Sequence, residues 1–151
     1  MVKKLDDTNK AIIKALGDGR RPYSAVADEL GITENTVRSR VNRMIDEGVL
    51  RITALVDPSL IPGVQVVVMG VKLKTMDLER KAREFSALRG VFSASVVTGR
   101  YDLIVQLQLS EEEGLSLLDF FKSELVKVAE VQEVETFVVY QSYELWIPYC
   151  I

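Results

Sequence analysis

The sequence contains no histidine and only one cysteine, Cys150. Both facts restrict the chemistry that the chain can perform. Without histidine, acid–base catalysis by imidazole and metal binding by imidazole are excluded. A single cysteine cannot form an intrachain disulfide, and a solitary thiol is typical of a reducing compartment. We therefore expect a cytoplasmic protein with no cofactor and no metal site.

Long apolar runs are also missing. No run approaches the roughly 20 residues that are needed to cross a bilayer, and residues 1–10, MVKKLDDTNK, lack the apolar segment of a secretory signal. We expect no membrane contact. The 151 residues are 48% hydrophobic, which is enough to fill the core of one domain or of two small ones.

Residues 21–50, RPYSAVADELGITENTVRSRVNRMIDEGVL, have the pattern of two short amphipathic helices joined by a tight turn. Val26 and Leu30 fall on one face of the first helix, and Gly31 ends it. Thr33 offers a side-chain oxygen to the free amides of the second helix, as an N-cap residue does. The apolar stripe of the second helix recurs at spacings of three and four residues and consists of Val37, Val41, Met44 and Ile45.

The opposite face of the second helix carries asparagine, serine and arginine near its N-terminus. Such side chains read base edges in the major groove of double-stranded DNA, and flanking arginines suit phosphates. We predict that Asn35, Arg38 and Ser39 contact base edges. The remaining polar residues hold phosphates or the neighbouring helix, and the helical spacing leaves open whether Arg40 turns inward to an acidic partner. The predicted DNA-binding set is Thr33, Asn35, Thr36, Arg38, Ser39, Arg40 and Arg43.

A plain packing motif with a solvated arginine face is the alternative interpretation of these two helices. The distribution of charge favours DNA, although the net charge is -3. Residues 1–51 carry ten basic and eight acidic side chains, a balance of +2, whereas residues 52–151 carry nine and fourteen, a balance of -5. The basic side chains therefore concentrate beside the predicted reading helix.

The rest of the N-terminal part supports this unit. Residues 5–16 predict a first helix capped by Asp6 or Asp7. Residues 49–58, VLRITALVDP, alternate and predict a strand that acts as a wing or a dimer connector. The prolines and glycine of residues 57–63 mark a boundary. We predict a helix-turn-helix domain over residues 1–56, a linker over 57–63 and a second domain over 64–151.

The second domain has mixed patterns. Strands are predicted at residues 65–74, 90–98, 102–109 and 134–147, a helix at 76–88, and a helix at 111–125 capped by Ser110. The order strand, helix, strand, strand, helix, strand predicts an α+β, ferredoxin-like sheet with helices on one face. Apolar residues occupy both faces of the first and last strands, so the face without helices must be covered by another subunit. We predict a homodimer built sheet to sheet.

Between the second and third strands lies the turn Thr98, Gly99, Arg100, Tyr101, Asp102. Turn geometry alone accounts for Gly99, because glycine tolerates positive φ. Asp102 lies at the start of an apolar strand beside Tyr101 and the glycine amide. This arrangement suits the charged groups of an amino acid, so a ligand site and a simple hairpin are both open here.

Taken together, these elements resemble the Lrp/AsnC family of transcriptional regulators over essentially the whole length. The resemblance is carried by LDDTNKAIIKAL, by AVADELGITENTVRSRVNRMIDEGVL, by the VDP step and by the TGRYD turn. It implies a winged helix-turn-helix domain joined to a ferredoxin-like effector domain, dimers that assemble further, often into octamers, and control by small ligands, commonly amino acids. The effector residues that it implies are Val97, Thr98, Gly99, Tyr101, Asp102 and Thr136.

Two residues depart from the family pattern. Arg100 occupies a place where a small or acidic residue is more common, and its guanidinium either favours an acidic ligand or points to solvent. Pro22 is unusual just before the second helix.

Two other functions remain open from the sequence. Some proteins of this fold resemble sirohaem decarboxylases, whose chemistry relies on histidine, which this chain lacks. A stand-alone amino-acid sensor would leave the basic N-terminal part unexplained. We predict a regulator and not an enzyme.

Overall fold

A computed structural model of the protein describes residues 5–17 and 19–150. The chain divides into two compact units, Met1–Thr53 and Ala54–Ile151. No helix among the described residues is long and apolar enough to cross a membrane.

The described residues of the first unit form three helices: α1 (Asp7–Leu16), α2 (Tyr23–Leu30) and α3 (Glu34–Asp46). Their packed residues are Ile12, Ala15, Leu16, Val26, Ala27, Val37, Val41 and Met44. Ile45, which the periodicity places in the buried stripe, is 41% exposed, whereas Met44 beside it is 2% exposed.

Both predicted caps of this unit are present. The Asp6 side chain accepts a hydrogen bond from the Asn9 amide at 2.7 Å, so Asp6 is the cap of α1. The Thr33 hydroxyl accepts one from the Thr36 amide at 3.2 Å and caps α3. Each bond satisfies an amide that the first turn of a helix leaves without a partner. Between α2 and α3, Gly31 takes the left-handed conformation with φ at 64°, which glycine adopts without strain.

The predicted wing strand is wrong. Residues 50–55 form no strand, and the isolated bridge next to them joins Val56 to Ile147. At the start of the predicted strand, the amides of Val49 and Leu50 both donate to the Met44 carbonyl, at 2.8 and 3.0 Å. Among the described residues, the alternating pattern contributes one isolated bridge, at Val56, and no continuous ladder.

Within residues 54–150, the second unit is built on four strands: β1 (Val64–Leu73), β2 (Val91–Val96), β3 (Leu103–Ser110) and β4 (Val131–Val138). All pairs are antiparallel, and the order across the sheet is β2-β3-β1-β4. Helix α4 (Leu78–Ser86) connects β1 to β2, and a second helical segment connects β3 to β4. The predicted ferredoxin-like α+β arrangement is confirmed.

The helical segment after β3 begins later than predicted. Ser110 ends β3 and pairs with Leu115 across a tight turn, so it cannot cap a helix. The cap is Ser116, which exchanges hydrogen bonds with Asp119 in a capping box. From there the chain forms a short helix α5 (Leu117–Asp119), a π-helical turn (Phe120–Glu124) and a 3-10 turn (Leu125–Lys127).

The last strand begins and ends earlier than the predicted range of 134–147. Val131 already pairs with Leu73, and the last sheet hydrogen bond runs from the Val139 amide to the Val66 carbonyl at 2.9 Å.

The two faces of the sheet differ in what covers them. On the core face, alternate residues of β1 and β3 pack against Phe85 of α4 and against Phe120. On the other face, named here the outer face, Val68 lies opposite Phe137, which is 47% exposed. The C-terminal segment covers part of the outer face, since the Cys150 amide donates to the Gln108 side chain at 3.1 Å. The apolar middle of the outer face stays open.

Candidate DNA-reading helix and effector turn

The exposed face of α3 is polar except for Ile45 near its C-terminal end. A shallow groove runs along it and is lined by Asn35, Arg38, Ser39, Asn42, Arg43 and Asp46. The apolar residues of α3 are buried on the opposite side. Asn35, Arg38 and Ser39, the predicted base-reading residues, therefore lie together on one exposed surface.

Two neighbours hold Arg38 in place. Its Nη2 forms an ion pair with Glu34, one helical turn earlier in α3. Its guanidinium carbon lies 5.4 Å from the centre of the Tyr23 ring, at the start of α2, which is cation–π distance. Sequence reasoning placed neither partner in the site, although the i, i+4 spacing of Glu34 and Arg38 is a known pairing signal.

Arg40 turns inward. Its Nη1 lies 2.7 Å from Asp6 Oδ2 and 2.9 Å from Asn9 Oδ1, so it joins α3 to the N-terminus of α1. The hydrogen bond from Arg40 is the main reason why the pKa of Asp6 lies below its usual range. Of the two roles that helical spacing leaves open, the arginine takes the inward one in this structure.

The remaining members of the predicted set differ in how freely they face solvent. Arg43 is 78% exposed and pairs with Glu47 at 3.1 Å. The Thr33 and Thr36 hydroxyl oxygens lie 2.9 Å apart and share a hydrogen bond at the start of α3. The threonines therefore serve the cap, whereas Arg43 extends from the helix surface.

The predicted effector turn, residues 97–102, joins β2 to β3 and folds back onto the outer face. The Tyr101 ring lies against Gly70 of β1: a Cβ built on Gly70 would be 2.7 Å from two ring carbons. Only a residue without a side chain fits beneath this ring. Gly70 is thus part of the site, and no sequence signal links it to a tyrosine 31 positions later.

Asp102 fixes this turn to β1. Its Oδ2 accepts a hydrogen bond from the Leu73 amide at 2.8 Å, its Oδ1 lies 3.5 Å from Lys72 Nζ, and its own amide donates to the Val71 carbonyl at 2.9 Å. Much of the carboxylate is therefore engaged within the chain.

Arg100 bridges the turn to the last strand. Its guanidinium lies over the Tyr101 ring at 5.3 Å, and its Nη2 is 3.3 Å from Glu135 Oε2. That oxygen is buried and accepts no hydrogen bond from the described residues, so the contact is an ion pair alone. Glu135 lies opposite Gly70 in the sheet register, which places it on the same face as Tyr101.

Five of the six implied effector residues share this turn: Val97, Thr98, Gly99, Tyr101 and Asp102. Thr136 is separated from them, because it lies opposite Met69 in the register and so belongs to the core face.

Comparison with known proteins gives two family matches that fit the two units. Residues 5–45 match the AsnC-type helix-turn-helix domain, and residues 66–145 match the Lrp/AsnC ligand binding domain. An uncharacterised HTH-type transcriptional regulator of Pyrococcus furiosus is 31% identical over 134 residues, which cover 87% of this chain and 89% of that protein.

Solved structures share the fold. AsnC of E. coli superposes with a TM-score of 0.68 at 23% identity, covering 95% of this chain and 97% of that one. A transcriptional regulator of Neisseria meningitidis, solved as a complex with L-Met, has a TM-score of 0.69 at 18% identity, covering 98% and 96%.

Proposed function

The chain belongs to the Lrp/AsnC family of transcriptional regulators, and from that premise we propose which of its residues read DNA and which bind the effector. As a member, it is a sequence-specific DNA-binding regulator that responds to a small effector. We assign base reading to Asn35, Arg38 and Ser39 and phosphate contact to Arg43. The observation that carries this assignment is their joint exposure on the one polar face of α3.

The assigned effector site is the turn of residues 97–102, with an amino acid as its ligand. Thr98 and Gly99 are exposed at the tip, so their backbone amides can reach a carboxylate, and Tyr101 provides an apolar ring. The L-Met complex of the Neisseria meningitidis regulator supports this ligand class. Asp102 takes part chiefly by holding the turn against β1. Thr136 is omitted from the site within one subunit because it lies on the other face of the sheet.

A homodimer through the outer face completes the proposal. Phe137 on the outer face is 47% exposed, and Tyr140, Tyr143 and Trp146, which follow β4 in the chain, are 97, 84 and 54% exposed. A second copy would bury such exposed aromatic side chains. Two reading helices would then enter successive major grooves, roughly 34 Å apart. Sedimentation of the purified protein at micromolar concentration should give a dimer or a multiple of it, up to an octamer, and a stable monomer would contradict this arrangement.

Effector binding is proposed to act by shifting the assembly state. A ligand that binds one arrangement of subunits better than another changes the population of each. The spacing of the reading helices, and with it the preferred DNA, would follow. We infer no catalytic activity, since the chain contains no histidine and its residues 97–102 are arranged as a turn packed on the sheet.

Sequencing the DNA that the purified protein retains from a random library, with and without each of a panel of amino acids, tests this function. An enriched sequence whose recovery depends on one amino acid is the expected result. Enrichment that no amino acid alters would contradict the proposed ligand class. Tight, Soret-type absorbance with haem precursors would instead favour the decarboxylase-like alternative.

A further inference from the structure

Glu34 and Tyr23 lie outside the assigned DNA-binding set, yet both contact the guanidinium of Arg38. We propose that Glu34 and Arg38 together read one G·C base pair, and that Tyr23 is a positioning residue that holds Arg38 for this contact. The inference rests on the proposed entry of α3 into the major groove, and it adds an acidic reader to a site assigned only to neutral and basic side chains.

Tyr23 is a fixed support for the guanidinium. It is the first residue of α2, it is half-buried, and its ring packs against the helical core of the first unit. A ring anchored in this way limits the rotamers that Arg38 can occupy. An arginine that is already oriented loses less conformational entropy when it binds a base.

Arg38 keeps enough donors to read guanine while it is paired. The guanidinium has five N–H groups, and the contact with Glu34 is made by Nη2 alone. The remaining donors suffice for the two acceptors, N7 and O6, that guanine presents in the major groove. The ion pair therefore does not prevent the contact, and it adds a second orienting restraint.

Glu34 supplies the complementary chemistry. It is the first residue of α3, and the N-terminal residues of a reading helix are the ones that contact base edges. Phosphates repel a carboxylate, and a hydrogen bond that the carboxylate accepts can offset this cost. Cytosine presents its N4 amine as such a donor next to the acceptors of guanine. An adjacent carboxylate and guanidinium thus match the edge of a G·C pair.

The pair formed by Arg43 and Glu47 provides a matched control. It has the same i, i+4 spacing, but it lies at the C-terminal end of α3, away from the base-reading end. Among the described residues, the guanidinium groups that lie over aromatic rings are those of Arg38 and Arg100.

The test is selection of random duplex DNA by the full chain, followed by affinity measurements on the selected site with each of the four base pairs at every position. Arg38→Ala should remove the preference for guanine at one position, because alanine has no donor for N7 and O6. Glu34→Ala removes the acceptor for the cytosine N4 amine and should lose about 5- to 150-fold of discrimination at that same position. Glu47→Ala should change affinity on all sequences alike and leave the preference unchanged.

Tyr23 is tested with two variants. Tyr23→Phe keeps the ring and should preserve the preference, whereas Tyr23→Ala should relax it at the Arg38 position only. Thermal unfolding of each variant shows that it is folded. If Tyr23→Ala weakens binding equally on every sequence, its role is in packing and the positioning part of the inference is overturned.

One result of these affinity measurements would contradict the proposed role of Glu34. If Glu34→Ala binds every sequence more tightly with the same base preference, the carboxylate merely competes with DNA for Arg38, and the shared reading is wrong. Failure of the wild-type chain to enrich any sequence would instead overturn its assignment as a DNA-reading regulator.

Discussion

Arg40 and Asp6 tie the reading helix to the helix at the start of the unit. Their Nη1 and Oδ2 atoms lie 2.7 Å apart, and the same carboxylate caps α1 through the Asn9 amide. A single aspartate thus serves two helices, one by a cap and one by an ion pair. Arg40 positions α3, while its neighbours Arg38 and Ser39 face solvent.

Arg40→Ala should lower the midpoint of thermal unfolding of the first unit and weaken DNA binding on all sequences alike. Asp6→Asn is the matched variant, because asparagine keeps the cap but loses the ion pair.

The contribution of this pair to stability depends on pH. The pKa of Asp6 is lower in the folded protein than its ordinary value of 3.8. The free energy that the charged carboxylate contributes is therefore fully present above pH 3.8, and it is lost as the pH falls through the pKa of the folded state. Melting curves of both variants at pH 7 and in this acidic range measure the effect. A variant that melts like the wild type at pH 7 would contradict the role of the pair.

Gly70→Ala should destabilise the second unit, by about 1–3 kcal/mol, because the new methyl group overlaps the Tyr101 ring. The expected rescue is Tyr101→Ala in the same chain, which removes the ring that the methyl group meets. Denaturant unfolding of the two single variants and the double variant tests this coupling. Additive losses in the double variant would show that ring and glycine do not constrain each other.

Asp102→Ala should abolish the effector response and also destabilise the fold, by about 1–3 kcal/mol, since the Leu73 amide would lose its acceptor. Asp102→Asn keeps an oxygen for that amide and should recover most of the stability. Unfolding and effector-dependent DNA binding are measured on both variants. A response to the effector in Asp102→Ala equal to that of the wild type would remove this residue from the site.

Arg100→Ala should shift effector preference toward cationic amino acids. In the wild type the charges of Arg100 and Glu135 offset each other at 3.3 Å, so the mouth of the site is nearly neutral. Loss of the arginine leaves an uncompensated carboxylate, and Glu135→Gln, the converse variant, should favour acidic ligands. Competition between lysine, methionine and glutamate, read as the change in melting temperature, checks both directions. Identical rankings in all three proteins would contradict the charge argument.

Local signals predict the caps of α1 and α3 correctly and the cap of the helical segment after β3 wrongly. Thr33 follows a glycine turn and precedes an apolar periodicity, so short-range sequence is sufficient. Ser110 and Ser116 each have an acidic residue three positions later, and the capping pattern alone does not separate them. What excludes Ser110 is its pairing with Val64 in the sheet, a contact between residues far apart in the chain.

In the candidate sites too, features set by residues close in the chain could be predicted from the sequence, and contacts between distant residues could not. The exposed face of α3 follows from helical periodicity, and so does the ion-pair spacing of Glu34 with Arg38. The contacts of Arg40 with Asp6, of Gly70 with Tyr101 and of Arg100 with Glu135 span 30 or more residues, and only the fold brings them together. Thr136 was assigned by family resemblance, and the strand register separates it from Tyr101.

The most direct test of the central claim, that α3 reads DNA, compares Arg38→Ala with Arg43→Ala on the selected operator over a range of salt concentrations. Arg38→Ala should lose about 1–3 kcal/mol and relax specificity at one base position, because a base contact is removed. Arg43→Ala should weaken binding to all sequences and reduce the salt dependence by about one phosphate contact. Wild-type affinity and specificity in Arg38→Ala would contradict the account.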